Sequence, residues 1–281
     1  MKLYAIDGNS QKLDGGAMFG NAPKALWQRW TNPDANNRID LATRALLIQT
    51  DDQKNILFEV GIGAFFEPKL KERYGIVESN HQLLINLKKI GLKHTDIDTV
   101  ILSHLHFDHV GGLLPEYGDD PIRLLFPNAK YYVGKAHWER AQSPHIREKA
   151  SFIPLIHELL ENSGRLTLVD ESTKMKIGIP LKFYFSNGHT SGLMASEIAL
   201  PSGPLVFISD ICPGTPWVHL PITMGYDRYP ERIVDEKQTI FESLYKRNGR
   251  LFFTHDPKTA CAKIVRDEEG KFSAEPVELL P

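Results

Sequence analysis

Apolar positions in this chain gather into short runs rich in β-branched and aromatic residues, separated by turn-forming residues. Ala45–Ile48, Ile56–Phe58, Thr99–Leu102, Tyr131–Val133 and Leu181–Phe185 each predict a strand. Ser196–Leu200 and Leu205–Ile208 flank Pro201-Ser202-Gly203-Pro204 and predict a hairpin. Leu251–Phe253 predicts a further strand. Between these runs the period changes to that of a helix. Leu83, Leu84, Leu87 and Ile90 share one face and stop at Gly91. Leu155, Ile156, Leu159 and Leu160 end before Gly164, and Ile233, Val234, Ile240, Phe241 and Leu244 run out at Asn248-Gly249. Many strands with a few intervening helices predict sheets covered by helices, an α/β or α+β layered domain. Residues 211–230, rich in Pro, Gly and aromatics, have no period, and an irregular stretch of that length usually has a task. No repeat, low-complexity tract or linker divides the chain, so residues 1–281 read as one domain.

Composition narrows the function classes without naming a reaction. With 42% hydrophobic and 24% charged residues and a formal net charge of -2, the chain reads as an ordinary globular protein. That charge argues against nucleic acid as a partner. No apolar run is long enough to span a bilayer, so no membrane partner is expected. The first residues carry Lys2, Asp7, Lys12 and Asp14 with no unbroken apolar stretch, so no secretory signal is expected. The two cysteines, Cys212 and Cys261, cannot make a disulfide framework, and a reduced cytoplasm is the expected location.

The chemistry concentrates in Ser103-His104-Leu105-His106-Phe107-Asp108-His109, directly after a predicted strand. His104 and His106 are two apart, so extended backbone turns both to one side. Asp108 and His109 come where the chain must turn and can face a second centre nearby. Imidazoles with a carboxylate suit zinc, and also iron, manganese or cobalt. His189 in Gly188-His189-Thr190, Asp210 and His255 each follow a predicted strand in the same way. Together these make seven candidate ligands, enough for two metals that share one bridging carboxylate. His81, His94, His137, His145 and His157 have no partner spacing and read as packing or loop residues, and His219, in the irregular 211–230 stretch, reads as a plain loop residue with substrate contact as the alternative.

These residues resemble the His-x-His-x-Asp-His signature of the metallo-β-lactamase superfamily of hydrolases, followed in the expected order by Gly-His-Thr, Asp and His. The resemblance covers nearly the whole chain and implies an αββα sandwich, an α+β fold of two mixed sheets face to face with helices outside. By position, it implies His104, His106 and His189 on a first metal, Asp108, His109 and His255 on a second, and Asp210 between them. It also places Glu59 where most members have Asp, as a residue that orients a ligand. Leu13-Asp14-Gly15-Gly16-Ala17-Met18-Phe19-Gly20, Trp217-Val218, Met224, Tyr226-Asp227 and Tyr229-Pro230 are similar to the YtnP-type branch of quorum-quenching lactonases, related to methyl-parathion hydrolase-like enzymes.

The implied chemistry is lactone opening by a hydroxide shared between two divalent ions, most simply Zn2+, about 3.5–4 Å apart. Asp108 is the catalytic residue expected to carry a proton to the leaving group. Phosphotriester or aryl ester hydrolysis in the same fold, and a non-catalytic metal-binding protein, are the alternatives. The expected partner is a small-molecule lactone or ester, held by Met18, Phe19, Trp217, Met224 and Tyr226 unless these only pin the loops. A homodimer is compatible with the sequence. Acyl-homoserine lactonases place a Tyr three residues after the bridging Asp, and here that position is Pro213. Either Tyr226 takes over the contact or the substrate is held differently. Cys212, two residues from a ligand position, reads as a packed thiol.

Overall fold

The computed structural model describes residues 1–175 and 177–281. In chain order the first half comprises β1 (Lys2–Asp7), β2 (Gln11–Asp14), α1 (Gly15–Phe19), α2 (Lys24–Trp27), β3 (Arg38–Leu41), β4 (Arg44–Gln49), β5 (Asn55–Phe58), α3 (Pro68–Arg73), α4 (Gln82–Lys89), β6 (Thr99–Leu102), α5 (Phe107–Val110), β7 (Lys130–Gly134), α6 (Lys135–Gln142), α7 (Pro154–Asn162) and β8 (Leu166–Val169). The second half adds β9 (Leu181–Ser186), β10 (Leu193–Ile198), β11 (Leu205–Phe207), α8 (Pro230–Lys246), β12 (Arg250–Phe252), β13 (Cys261–Arg266) and β14 (Phe272–Pro276).

Two six-stranded sheets result, ordered β1-β4-β5-β6-β7-β8 and β14-β13-β12-β11-β10-β9. Both are mixed: β5 to β8 run parallel while β1 and β4 are antiparallel, and only β11–β12 is parallel in the second sheet. Side-chain alternation explains why they stack. Leu46 and Ile48 of β4 face inward with Ile56, Phe58 and Ile101 and meet Met194, Ile198, Leu205, Phe207 and Phe252 of the other sheet. Ala45 and Leu47, one residue out of phase, face outward to α4, α6 and α7 through Leu83, Leu87, Trp138 and Ile156. On the other outer face, Val206, Leu251 and Ala262 pack on Ile233, Ile240, Phe241 and Leu244 of α8. The expected αββα sandwich is the observed architecture.

The central strands, the β10–β11 hairpin and α4, α7 and α8 lie where the hydrophobic pattern predicts them, within a few residues. Strands β1, β2, β3, β8, β13 and β14 were not predicted. They lie towards sheet edges or in the small β2–β3 pair, and several of their residues face solvent. Among the described residues, no helix is long and apolar enough to cross a membrane.

Candidate metal centre

One edge of the sandwich collects the functional loops for a topological reason. Neighbours β5 and β6 run parallel, as do β11 and β12, so the residues that follow each pair emerge on the same side. Glu59 follows β5, Ser103 to His109 follow β6, Asp210 follows β11 and His255 follows β12; His189 sits in the β9–β10 turn at the same edge. Close packing holds the His-rich loop. A Cβ on Gly112 would come within 2.1 Å of the Val60 carbonyl oxygen, so glycine there lets the 107–113 segment lie directly on the 59–63 loop. His137 Nε2 accepts from the Leu105 amide at 2.8 Å, tying α6 to the same segment.

All seven predicted ligands converge. His104, His106, His189 and Asp210 form one cluster able to hold a metal, and Asp108, His109 and His255 form another. Asp210 lies between them: Oδ2 is 3.2 Å from His189 Nε2, while Oδ1 is 3.1 Å from His255 Nε2 and 3.4 Å from His109 Nε2. Each of the five histidines is held by one ring nitrogen. Nδ1 of His109 meets Glu59 at 2.8 Å, Nδ1 of His189 meets Asp227 at 2.9 Å, and Nδ1 of His255 meets the Ala42 carbonyl at 2.8 Å. Nδ1 of His104 meets the Ser103 hydroxyl at 2.8 Å, and Nε2 of His106 meets Glu148 at 3.0 Å.

The other nitrogen of each ring is therefore turned to the centre. His106 Nδ1 faces His189 Nε2 at 3.2 Å, and His109 Nε2 faces His255 Nε2 at 3.2 Å. Since their outer nitrogens donate, these inner nitrogens carry lone pairs in the neutral rings and repel across each gap. His104 Nε2 and Asp210 Oδ1 are buried with no hydrogen-bond partner. Lone pairs facing one another, orphaned acceptors and a shared carboxylate are what a cation relieves. The donor set fits divalent metal ions.

The electrostatics agree. Burial alone would favour a neutral Asp210, yet His109, His255 and His189 hold its carboxyl well below the usual carboxylate range. Burial lowers His109 too, but Glu59, Asp210 and Asp108 outweigh it and hold its pKa well above the ordinary value. His104 is pushed well down by burial and then by His109 and His106. The carboxylates of the cluster favour positive charge among the histidines, which a proton or a bound cation can supply.

The family model described as the metallo-beta-lactamase superfamily matches residues 38–255, well over half of the chain. The chain belongs to the metallo-β-lactamase superfamily. It is a hydrolase of that superfamily with a His/Asp cluster able to bind metal. Across 96% of its length it is 25% identical to the N-acyl homoserine lactonase AiiB of Agrobacterium fabrum, of which the match covers 98%. Among solved structures, it resembles a "probable metal-dependent hydrolase" from Staphylococcus aureus with a TM-score of 0.86 and 29% identity, over 100% of this chain and 98% of that one. The dizinc quorum-quenching lactonase AidC, solved with the product N-hexanoyl-L-homoserine, shares the fold at a TM-score of 0.78 and 21% identity, over 99% and 95% of the two chains.

In this metallo-β-lactamase fold, a cavity of about 340 Å³ opens onto the cluster, lined by His106, Asp108, His189, Asp210 and His255. Of the five residues predicted to hold substrate, Met18, Met224 and Tyr226 lie on its wall. Phe19 and Trp217 lie outside that lining. Their rings stack at 4.5 Å between centroids and 6° between planes, and Trp217 Nε1 donates to the Met18 carbonyl at 2.9 Å. They pin the two loops together from behind the wall. Cys212 is a packed thiol, pushed up to about 12 by burial. His219 is an exposed loop residue, whereas His81, His137 and His157 are buried in packing roles.

Sequence reasoning missed Glu148 and assigned no role to Asp227. Glu148 is buried and is held by Arg140 as well as by His106 and Thr190, and burial is outweighed by those contacts so that its carboxyl sits well below the usual range. Asp227 also accepts from the Met224 amide at 2.7 Å, so one carboxylate joins His189 to the cavity wall. Neither residue has a local spacing that would reveal it.

Lys237 of α8 anchors the same loop. Its fully buried Nζ donates to the carbonyls of Trp217 at 3.0 Å and Ile222 at 2.6 Å. Burial pushes its pKa from 10.5 down to about 8, against the charge of Asp227. The unfolded chain keeps this proton to about 10.5 while the folded chain releases it near 8, so between these values the unfolded state binds more protons. Stability therefore rises with pH across that window. The wild type is expected to gain roughly 3 kcal/mol over Lys237→Met between the two limits, read by urea denaturation at each end. Parallel stability curves for the two proteins would refute the shift.

Proposed function

We propose that this hydrolase is a dinuclear metal-dependent lactonase acting on acyl-homoserine or related lactones, with residues 1–281 as one catalytic domain. The observation that carries the reading is Asp210, whose two oxygens address two separate histidine groups. His104, His106 and His189 would hold one ion, Asp108, His109 and His255 the other, with Zn2+ first among the ions this donor set accepts. When bound, divalent ions held there would supply Lewis-acid polarisation of a scissile carbonyl and activation of water as a nucleophile near neutral pH.

The chain's own residues supply the rest. Asp108 lies 3.7 Å from both His109 and His255, and its half-buried carboxylate also lines the cavity, a position from which it can pass a proton to the leaving alkoxide. Met18 and Met224 offer an apolar wall for an acyl chain. The Tyr226 hydroxyl is pushed up to about 12 by burial and by Asp108 and Asp14, so it stays protonated at neutral pH. It can donate to a substrate carbonyl in place of the Tyr that Pro213 replaces. The curated relative named as a lactonase over nearly its full length supports the same substrate class.

The test is proton release in weak buffer by zinc- or manganese-loaded protein, given acyl-homoserine lactones, simple lactones, aryl esters and phosphotriesters. Lactone opening should be fast and should fall by about a hundredfold or more in Asp108→Asn. Intact lactones alongside cleaved esters or triesters would move the substrate assignment. No turnover with two metals bound would favour the non-catalytic alternative.

A further inference from the structure

The same cavity carries three arginines from three separate segments: Arg73 at the end of α3, Arg147 between α6 and α7, and Arg228 in the loop before α8. Four other arginines pair with carboxylates, Arg38 with Asp34, Arg44 with Asp7, Arg140 with Glu148 and Arg247 with Glu197, while Arg165 and Arg250 donate to backbone carbonyls. Among the described residues, none of the three cavity arginines has a carboxylate oxygen within 4.0 Å. Two of them are oriented by neighbouring carbonyls of one loop. Arg147 Nη2 donates to Gly225 O at 3.0 Å, and Arg228 Nε donates to Tyr226 O at 3.1 Å. A carbonyl dipole orients a guanidinium but does not neutralise it. Arg228 Nη1 is sheltered from solvent with no acceptor at all.

The carboxylates inside the cavity are already committed. Glu148 is shared by His106, Thr190 and Arg140, while Asp108 and Asp210 face the histidines. Burial and the neighbouring charges of Arg147 and Arg140 work against the charge on Arg228 and outweigh the support of Glu148 and Asp227. A neutral acyl group filling the cavity would leave a sheltered guanidinium donor unpaired, which is costly. An oxyanion would pair with it in the planar geometry that guanidinium groups favour.

We infer that the substrate carries an oxyanionic group, a carboxylate or a phosphate, remote from the bond that is cleaved, and that Arg73, Arg147 and Arg228 bind it. The inference rests on the hydrolase reading of the same cavity and, within it, favours lactones or esters that carry an oxyanion over neutral acyl-homoserine lactones.

The experiment compares matched substrates on the metal-loaded enzyme. One pair is a γ-butyrolactone bearing a ring carboxylate and its carboxamide; the other is mono-p-nitrophenyl glutarate and p-nitrophenyl glutaramate. In each reactive pair kcat/KM should favour the anion by about tenfold or more, the scale of a charge-assisted hydrogen bond. The preference should shrink with added salt and fall to within about twofold in the Arg73→Gln/Arg147→Gln/Arg228→Gln variant. Arg73→Gln alone, an exposed change at a helix end, should lower it part of the way and guards against misfolding of the triple variant. Butyrate and monobutyl phosphate as inhibitors separate the two oxyanions, since the better fit loses more affinity in the triple variant. Equal turnover of anion and amide would overturn the inference, as would a preference that survives removal of the arginines. Inert lactones with charge-selective ester cleavage would instead overturn the lactonase reading and leave this one standing.

Discussion

Asp210→Asn is expected to lower bound divalent metal from about two ions per chain to about one, and to slow hydrolysis by more than about a hundredfold. Loss of a group that merely orients a metal ligand costs about 10–100-fold, and Asp210 addresses both histidine groups directly. Asparagine keeps the shape and one oxygen, so only one group retains its acceptor. The other meets an amide NH2, which donates to an imidazole nitrogen and blocks a cation. The folded, metal-free chain should tolerate the change, because that amide satisfies a nitrogen which otherwise faces Oδ1 at 3.1 Å or Oδ2 at 3.2 Å. Metal analysis after dialysis, beside circular dichroism, reads both effects. A folded Asn variant with two metals and wild-type rates would remove the shared-carboxylate role.

Glu59→Gln should cost about 3–5 kcal/mol of stability and weaken metal binding at the His109 side by about 10–100-fold. Glu59 is fully buried. Oε2 accepts from His109 Nδ1 at 2.8 Å, and Oε1 accepts from Ser209 Oγ at 2.8 Å and from Ser103 Oγ. Glutamine has a single acceptor oxygen, so its NH2 must confront either the imidazole N–H or a serine hydroxyl. It also removes the charge that counts most in raising His109 against the effect of burial. Chemical denaturation and competitive metal titration would measure the two losses, and a Gln variant with wild-type stability and affinity would show that the network is dispensable. Glu59→Asp should fall between. Its φ of 59° is a left-handed conformation that Asp tolerates better than Glu, but the shorter side chain cannot span Ser103, Ser209 and His109 together.

The seven candidate ligand positions were legible because their signals are local. Histidines two apart on extended backbone face one side, and each later His or Asp directly follows an apolar run that becomes a strand. The sandwich was legible for a related reason: central strands such as β4 and β11 are buried on both faces and read as near-continuous apolar runs. Strands β13 and β14 escaped because exposed, charged residues interrupt them.

Other features depend on distance in space. Glu148 and Asp227 become partners of His106 and His189 across 42 and 38 residues of chain, and no spacing encodes that. Phe19 and Trp217 looked like pocket residues, since an aromatic side chain in a loop is equally suited to line a cavity or to stack behind its wall. Only the approach of the two loops placed them in a stack. The unpaired state of Arg73, Arg147 and Arg228 was likewise invisible, because a missing partner is a property of the assembled surroundings. Local pattern specifies what a segment can become and which chemistry it carries. Which side chains meet, and which are left without a counter-charge, is decided when distant segments close around a shared volume.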